Sequence, residues 1–149
     1  MAQLTGKTII ITGSSRGVGA DTAQILAAEG ANIVVNYRSK APRANKIVKA
    51  IEEAGGKAIA VQADVTNSED LQNLVNTAVE TFGSLDYLIL NASGGMETGM
   101  GEDYAMRLNR DAQLNLARLA AEKMPEGARI VFVTSHQAHF IREVETMDE

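Results

Sequence analysis

The stretch Thr12-Gly13-Ser14-Ser15-Arg16-Gly17-Val18-Gly19 constrains this chain more than any other. It follows the apolar run Thr8-Ile9-Ile10-Ile11 directly and leads into a segment of helical character, Ala20 to Glu29. Glycines between a strand and a helix have separate physical uses. Gly13 takes a tight strand-to-helix turn with no Cβ to clash, Gly17 lets phosphates come close to the backbone, and Gly19 lets the helix sit close on its strand. A helix opening there points its unpaired N–H groups and the positive end of its dipole at an anion. Turn punctuation alone does not account for glycines at this spacing, so the stretch reads as a phosphate cradle.

The rest of the chain alternates apolar, β-branched runs with segments of helical period, the pattern of parallel βαβ units. Strands are expected at Lys7 to Ile11, Asn32 to Asn36, Lys57 to Gln62, Tyr87 to Leu90 and Arg129 to Thr134. Their Ile, Val and Leu content predicts burial on both faces. Helices are expected at Ala20 to Glu29, stopping at Gly30, and at Arg43 to Ala54, with Ala44, Ile47, Val48 and Ile51 on one stripe. A third begins at Thr66-Asn67-Ser68-Glu69, read as a capping box, and carries Leu71, Leu74, Val75, Ala78, Val79 and Phe82 up to Gly83. A fourth, Asp103 to Met124, carries Ala105, Leu108, Ala112, Leu116 and Leu119.

Right-handed crossovers turn this order into an α/β fold, a doubly wound parallel sheet of the Rossmann type in the order 3-2-1-4-5. Its ligand crevice lies at the carboxyl ends of strands one and four. The polar and Gly-rich segments converge on that edge: Gly13 to Gly19, Tyr37 to Lys40, Asp64, Asn91 to Gly95 and Ser135 to Phe140.

Composition narrows the functional classes. The 149 residues are 45% hydrophobic and 22% charged, as expected of a single globular domain over 1–149. Fourteen Lys and Arg are scattered among nineteen Asp and Glu, a net charge of -5 that argues against a nucleic-acid partner. No apolar run approaches the ~20 residues of a membrane span, and the first residues do not resemble a signal peptide, so no membrane association and a cytoplasmic location are expected. The absence of Cys excludes disulfides and thiol chemistry. His136 and His139 have no acidic partner at ligand spacing, and no metal site is expected. Gly94 to Gly101 reads as a loop beside the crevice, where Met96 and Met100 either contact an apolar substrate or face water.

Taken together, Thr12 to Gly19, the Asp64-Val65 pair, Asn91-Ala92-Ser93-Gly94 and Ile130-Val131-Phe132-Val133-Thr134-Ser135 resemble the short-chain dehydrogenase/reductase family. The family's Asn-Asn-Ala-Gly stands here as Leu90-Asn91-Ala92-Ser93, keeping only the second Asn and the Ala. The resemblance implies that Gly13, Ser15, Arg16, Gly17, Val18 and Gly19 contact the pyrophosphate and adenosine ribose of a nicotinamide dinucleotide. It assigns Asp64 and Val65 to the adenine and Asn91, Ala92 and Ser93 to the inner ribose region. It makes Asn109 the helix Asn that binds a water in a proton relay, and Ser135 the Ser that hydrogen-bonds the substrate oxygen. The implied activity is carbonyl–alcohol interconversion by hydride transfer on a small-molecule substrate, in a homodimer or homotetramer.

Cofactor choice follows from charge. NAD-preferring folds of this type place an Asp or Glu at the end of strand two to bind the ribose 2′-hydroxyl. This chain reads Asn36-Tyr37-Arg38-Ser39 there, with no carboxylate to repel a 2′-phosphate. Arg16 and Arg38 supply guanidinium groups and Ser39 a further donor. NADP(H) is therefore expected over NAD(H), with NAD(H) a possible second cofactor.

The chemistry of the family also needs a Tyr with a Lys one helical turn on, the Lys lowering the phenol pKa from ~10. Tyr37, Tyr87 and Tyr104 are followed four residues later by Ala41, Asn91 and Leu108, and no Tyr or Lys follows Ser135. The expectation is an N-terminal portion of a longer reductase, lacking the family's C-terminal strands and helices and inactive by itself. The alternative is a non-catalytic NAD(P)-binding sensor or scaffold. A doubly wound methyltransferase ranks lower, because such domains want an acid after strand two.

Overall fold

The computed structural model describes residues 4–14, 17–39, 41–91 and 102–132, and no side chains for residues 18, 102–110 and 132. Its order is β1 (Thr8–Ile11), α1 (Gly17–Ala28), β2 (Asn32–Tyr37), α2 (Ala41–Glu53), β3 (Lys57–Gln62), α3 (Ser68–Phe82), β4 (Tyr87–Leu90), α4 (Glu102–Ala121) and β5 (Arg129–Phe132). The five strands form one sheet, β3-β2-β1-β4-β5, with every neighbouring pair parallel. This is the expected doubly wound order, and it brings all carboxyl ends to one edge.

Two apolar layers enclose the sheet. On one face Ile9, Ile11, Ile33 and Val35 pack with Ala23 and Ala27 of α1 and Ala44 and Ile51 of α2. On the other, Ile10, Val34, Leu88 and Leu90 pack with Leu71, Leu74, Val75 and Ala78 of α3 and Leu116 and Ala120 of α4. Burial on both faces holds for β1 and the interior of β2 but not for the outer strands. Tyr87 and Ile89 are half-buried, and Val131, in register with Ile89, is 45% exposed. The physical reason is coverage: on that face the described helices lie over β1 to β3, leaving β4 and β5 partly open.

Several boundaries differ from expectation for identifiable reasons. Gly17 enters α1 at φ +62°, three residues before the expected Ala20, because glycines lower helix propensity without preventing a helix start. α2 begins at Ala41 because Pro42 sits in its first turn, where a missing N–H costs nothing. Pro125 disfavours helical geometry at Met124, so α4 ends at Ala121. α3 is capped by Asn67, not Thr66: the Asp70 N–H donates to Asn67 Oδ1, while the Thr66 hydroxyl donates to Asp64. Its other end is as expected, with Gly83 at φ +89° donating to the Val79 carbonyl. Positions 133 and 134 of the expected fifth strand lie outside the described residues.

Thr8 gives a stability prediction. It is fully buried, its N–H donates to Asp86 Oδ2 at 2.9 Å, and its Oγ1 has no hydrogen-bond partner among the described residues. An orphaned buried hydroxyl costs roughly 1–3 kcal/mol, and Val matches its shape and strand preference. Thr8→Val is expected to stabilise the fold by about 1 kcal/mol, raising the melting temperature by about 2–4 °C. A fall in melting temperature in a thermal scan would mean that the hydroxyl is satisfied.

Candidate functional site

Parallel strands of this order leave a crevice where the winding reverses, between the ends of β1 and β4. Thr12 joins the two ends. Its N–H donates to the Ile89 carbonyl at 3.0 Å, and its Oγ1 accepts from Asn91 N–H at 2.8 Å. Asn91 is thereby fixed at the mouth of the crevice, half-buried. Gly19 lies in the first turn of α1 directly against it. A Cβ on Gly19 would stand 2.5 Å from Asn91 Nδ2, 2.7 Å from the Gly13 carbonyl oxygen and 2.9 Å from Ser14 Cα.

The turn itself is held by polar groups buried under it. Gly13, at φ +61°, donates its N–H to Asn36 Oδ1 at 3.1 Å. Ser14 is wholly buried: its N–H donates to the Asn36 carbonyl, while its hydroxyl donates to the Ile11 carbonyl and accepts from Asn36 N–H. Gly17 is exposed, and a Cβ there would meet nothing within 4 Å among the described residues. Helix α1 has no acid in its first turn, so nothing in that turn offsets the positive end of the dipole.

The second wall comes from β2 and β3. Tyr37 is half-buried against the α1–α2 face, and Arg38 and Ser39 follow, exposed. Gln62 Nε2 donates to the Arg38 carbonyl, and Arg38 Nε stands 3.9 Å from Asp64 Oδ2. Asp64 N–H donates to Asp70 Oδ2, and Asp64 Oδ1 accepts from both the N–H and the hydroxyl of Thr66. Val65 is half-buried beside it, packed against the α3–α4 core.

Those two bonds from Thr66, side chain before backbone, hold the Asp64 carboxyl below its ordinary 3.8, with a smaller contribution from Arg38. A lowered folded-state pKa stabilises the fold above the unfolded value, and this is lost as pH falls through the folded value. Asp64→Asn is therefore expected to flatten the fall of the urea midpoint between about pH 5 and pH 3. Equal slopes for the two proteins would remove Asp64 from the acid response.

The structure thus gathers Gly13, Gly17, Gly19, Tyr37, Arg38, Ser39, Asp64, Val65 and Asn91 on one edge of the sheet. Val18 lies on α1 and Asn109 on α4, each without a described side chain. Ser15, Arg16, Ala92, Ser93 and Ser135 lie outside the described residues, as do His136 and His139. Sequence reasoning did not single out Ser14, Asn36 or Gln62. The signal for Asn36 was a polar residue closing the otherwise buried run Ile33-Val34-Val35.

A doubly wound sheet with a positive-φ glycine turn and a helix N-terminus at its switch point defines the class of nucleotide-binding α/β proteins. The short chain dehydrogenase family model matches residues 7–146, and the chain belongs to that family. An uncharacterized oxidoreductase of Methylorubrum extorquens is 41% identical over 142 residues, covering 91% of this chain and 57% of the relative. Versicolorin reductase 1 of Dothistroma septosporum is 38% identical, with 91% and 54% covered. A Burkholderia cenocepacia short chain dehydrogenase, solved in complex with NADP, superposes with a TM-score of 0.80 at 38% identity, over 92% of this chain and 58% of the other. The chain thus spans little more than half the length of these relatives.

Proposed function

We propose that this chain forms the cofactor-binding part of an NADP(H)-dependent oxidoreductase that interconverts a carbonyl and an alcohol on a small molecule. The observation that carries the proposal is Arg38, a guanidinium just past β2, whose own end brings no carboxylate. A 2′-phosphate has a cationic partner there, and the ribose of NAD(H) lacks its usual acidic one, making NAD(H) the weaker cofactor. The open space at Gly17 and the acid-free start of α1 fit a pyrophosphate. A relative solved with NADP supports the reading.

In this reading the N–H groups at Gly17, Val18 and Gly19, with Ser15 and Arg16, hold the pyrophosphate and adjoining ribose, and Gly13, its own N–H bonded to Asn36, lies against them through its Cα. Tyr37, Arg38 and Ser39 hold the 2′-phosphate, Asp64 and Val65 the adenine, and Asn91, Ala92 and Ser93 the inner ribose. The nicotinamide cofactor supplies or accepts the hydride. Ser135 orients the substrate oxygen, and Asn109 holds a water for proton transfer.

The family's acid/base Tyr with a Lys one helical turn on finds no match at Tyr37, Tyr87 or Tyr104, which are followed four residues later by Ala41, Asn91 and Leu108. A cytoplasmic homodimer or homotetramer joined through α4 completes the proposal; Leu114 on that helix is exposed. No helix among the described residues is long and apolar enough to cross a membrane.

Fluorescence titration of the protein with NADPH and NADH tests the reading. Saturable binding with NADPH tighter by about tenfold or more, ~1.4 kcal/mol, supports it. Absence of binding to either overturns it, and equal affinity overturns the cofactor preference.

A further inference from the structure

Asn36 is the point at which the separate parts of the crevice meet. It is 2% exposed, and every polar atom of its side chain and peptide group has a partner, either in the turn after β1 or at the end of β3. Its Oδ1 accepts from Gly13 N–H in the turn after β1, and its Nδ2 donates to the Val61 and Ala63 carbonyls, at 3.4 and 3.2 Å, at the end of β3. Its own N–H and carbonyl engage Ser14. Tyr37 and Arg38 follow Asn36 directly, Asp64 and Val65 follow Ala63, and Gly17 at the start of α1 stands three positions after Ser14. A buried amide can satisfy all of these only with its oxygen towards Gly13 and its nitrogen towards β3, which fixes its orientation.

We propose that Asn36 is a positioning residue for the dinucleotide, setting the spacing between the phosphate turn and the two segments that receive the adenosine half. This rests on the reading of the site as a dinucleotide crevice, and it gives Gly13 a different task from its neighbours. The Gly13 N–H is committed to Asn36, so the turn is preorganised before any phosphate arrives. Because the tether acts on the turn common to both cofactors, it governs affinity for NADPH and NADH together, whereas Arg38 governs the difference between them.

Two measurements test the proposal. In the first, Asn36→Ala is titrated with NADPH and NADH by fluorescence, with Arg38→Ala alongside. Asn36→Ala is expected to raise both dissociation constants by about tenfold, as preorganised contacts are lost, with their ratio within about twofold of the original. A residue that only stabilises the fold would lower the unfolding midpoint and leave the affinity of the folded protein unchanged, which would overturn the proposal. The second needs no variant. Amide hydrogen exchange followed by NMR on the original protein is expected to show Gly13 protected before cofactor is added, like Ile10 in β1. Free exchange at Gly13 that slows only with NADPH would overturn preorganisation. Should the original protein bind neither cofactor, the crevice reading itself fails, an outcome distinct from binding that Asn36→Ala leaves intact.

Discussion

Gly19→Ala is expected to weaken NADPH binding by at least about tenfold, ~1.4 kcal/mol, with a smaller effect on stability. Two opposing terms act on stability. Alanine favours the helix interior over glycine by about 1 kcal/mol, while forcing a methyl into a filled space costs about 1–3 kcal/mol. Two of the three atoms that crowd the new Cβ, the Gly13 carbonyl oxygen and Ser14 Cα, belong to the backbone of the phosphate turn. They cannot rotate aside as a side chain does. Relief comes only by moving the turn away from α1, or by moving Asn91, and both displace groups that face the crevice. Gly17→Ala is the instructive contrast: it meets no atom within 4 Å among the described residues, but its φ of +62° costs an alanine roughly 1–2 kcal/mol of backbone strain. Paired NADPH titrations and thermal scans of the two variants separate crowding from strain. Unchanged affinity in Gly19→Ala would show that close packing of helix on turn is not what this glycine provides.

The same contacts show what could be read from residue order. The glycine turn, the strand order and the polar edge of the sheet follow from short-range rules: β-branched runs, helical stripes and right-handed crossovers. Gly19 was legible because a close approach leaves one type of residue possible. The cap at Asn67 was displaced by one position because Thr66 was already engaged by Asp64, a competition between side chains that spacing alone does not express. Partial exposure on one side of β4 and β5 depends on which helices reach them, and Ile89 and Val131 look as apolar as the buried Ile11. Asn36 was hardest to read, since its amide is satisfied by carbonyls and an N–H more than twenty positions away in each direction. A buried polar residue announces that partners exist without naming them.

Arg38→Ala is expected to raise the dissociation constant for NADPH by about 10- to 100-fold, while that for NADH stays within about twofold. A charge-assisted hydrogen bond contributes roughly 1.5–3 kcal/mol, which spans that range. Asp64 sets the main competing interaction, because Arg38 Nε stands 3.9 Å from its carboxylate when no cofactor is bound. The Arg38 side chain is 68% exposed, and exposed pairs of this kind are worth about 0–1 kcal/mol. A phosphate with up to two charges and several acceptor oxygens therefore wins the guanidinium from Asp64, which keeps its two bonds from Thr66 in either state. Two further results are expected from that order of strengths: Asp64→Asn should change the NADPH-to-NADH ratio far less than Arg38→Ala does, and the proposed preference for NADPH should shrink as ionic strength rises. Arg38→Asp goes further, setting a carboxylate where a ribose 2′-hydroxyl can donate to it and a 2′-phosphate is repelled, so the preference is expected to turn towards NADH. Fluorescence titration of both cofactors across the three variants decides it: a ratio that Arg38→Ala leaves untouched would move the recognition of the 2′-phosphate away from the end of β2.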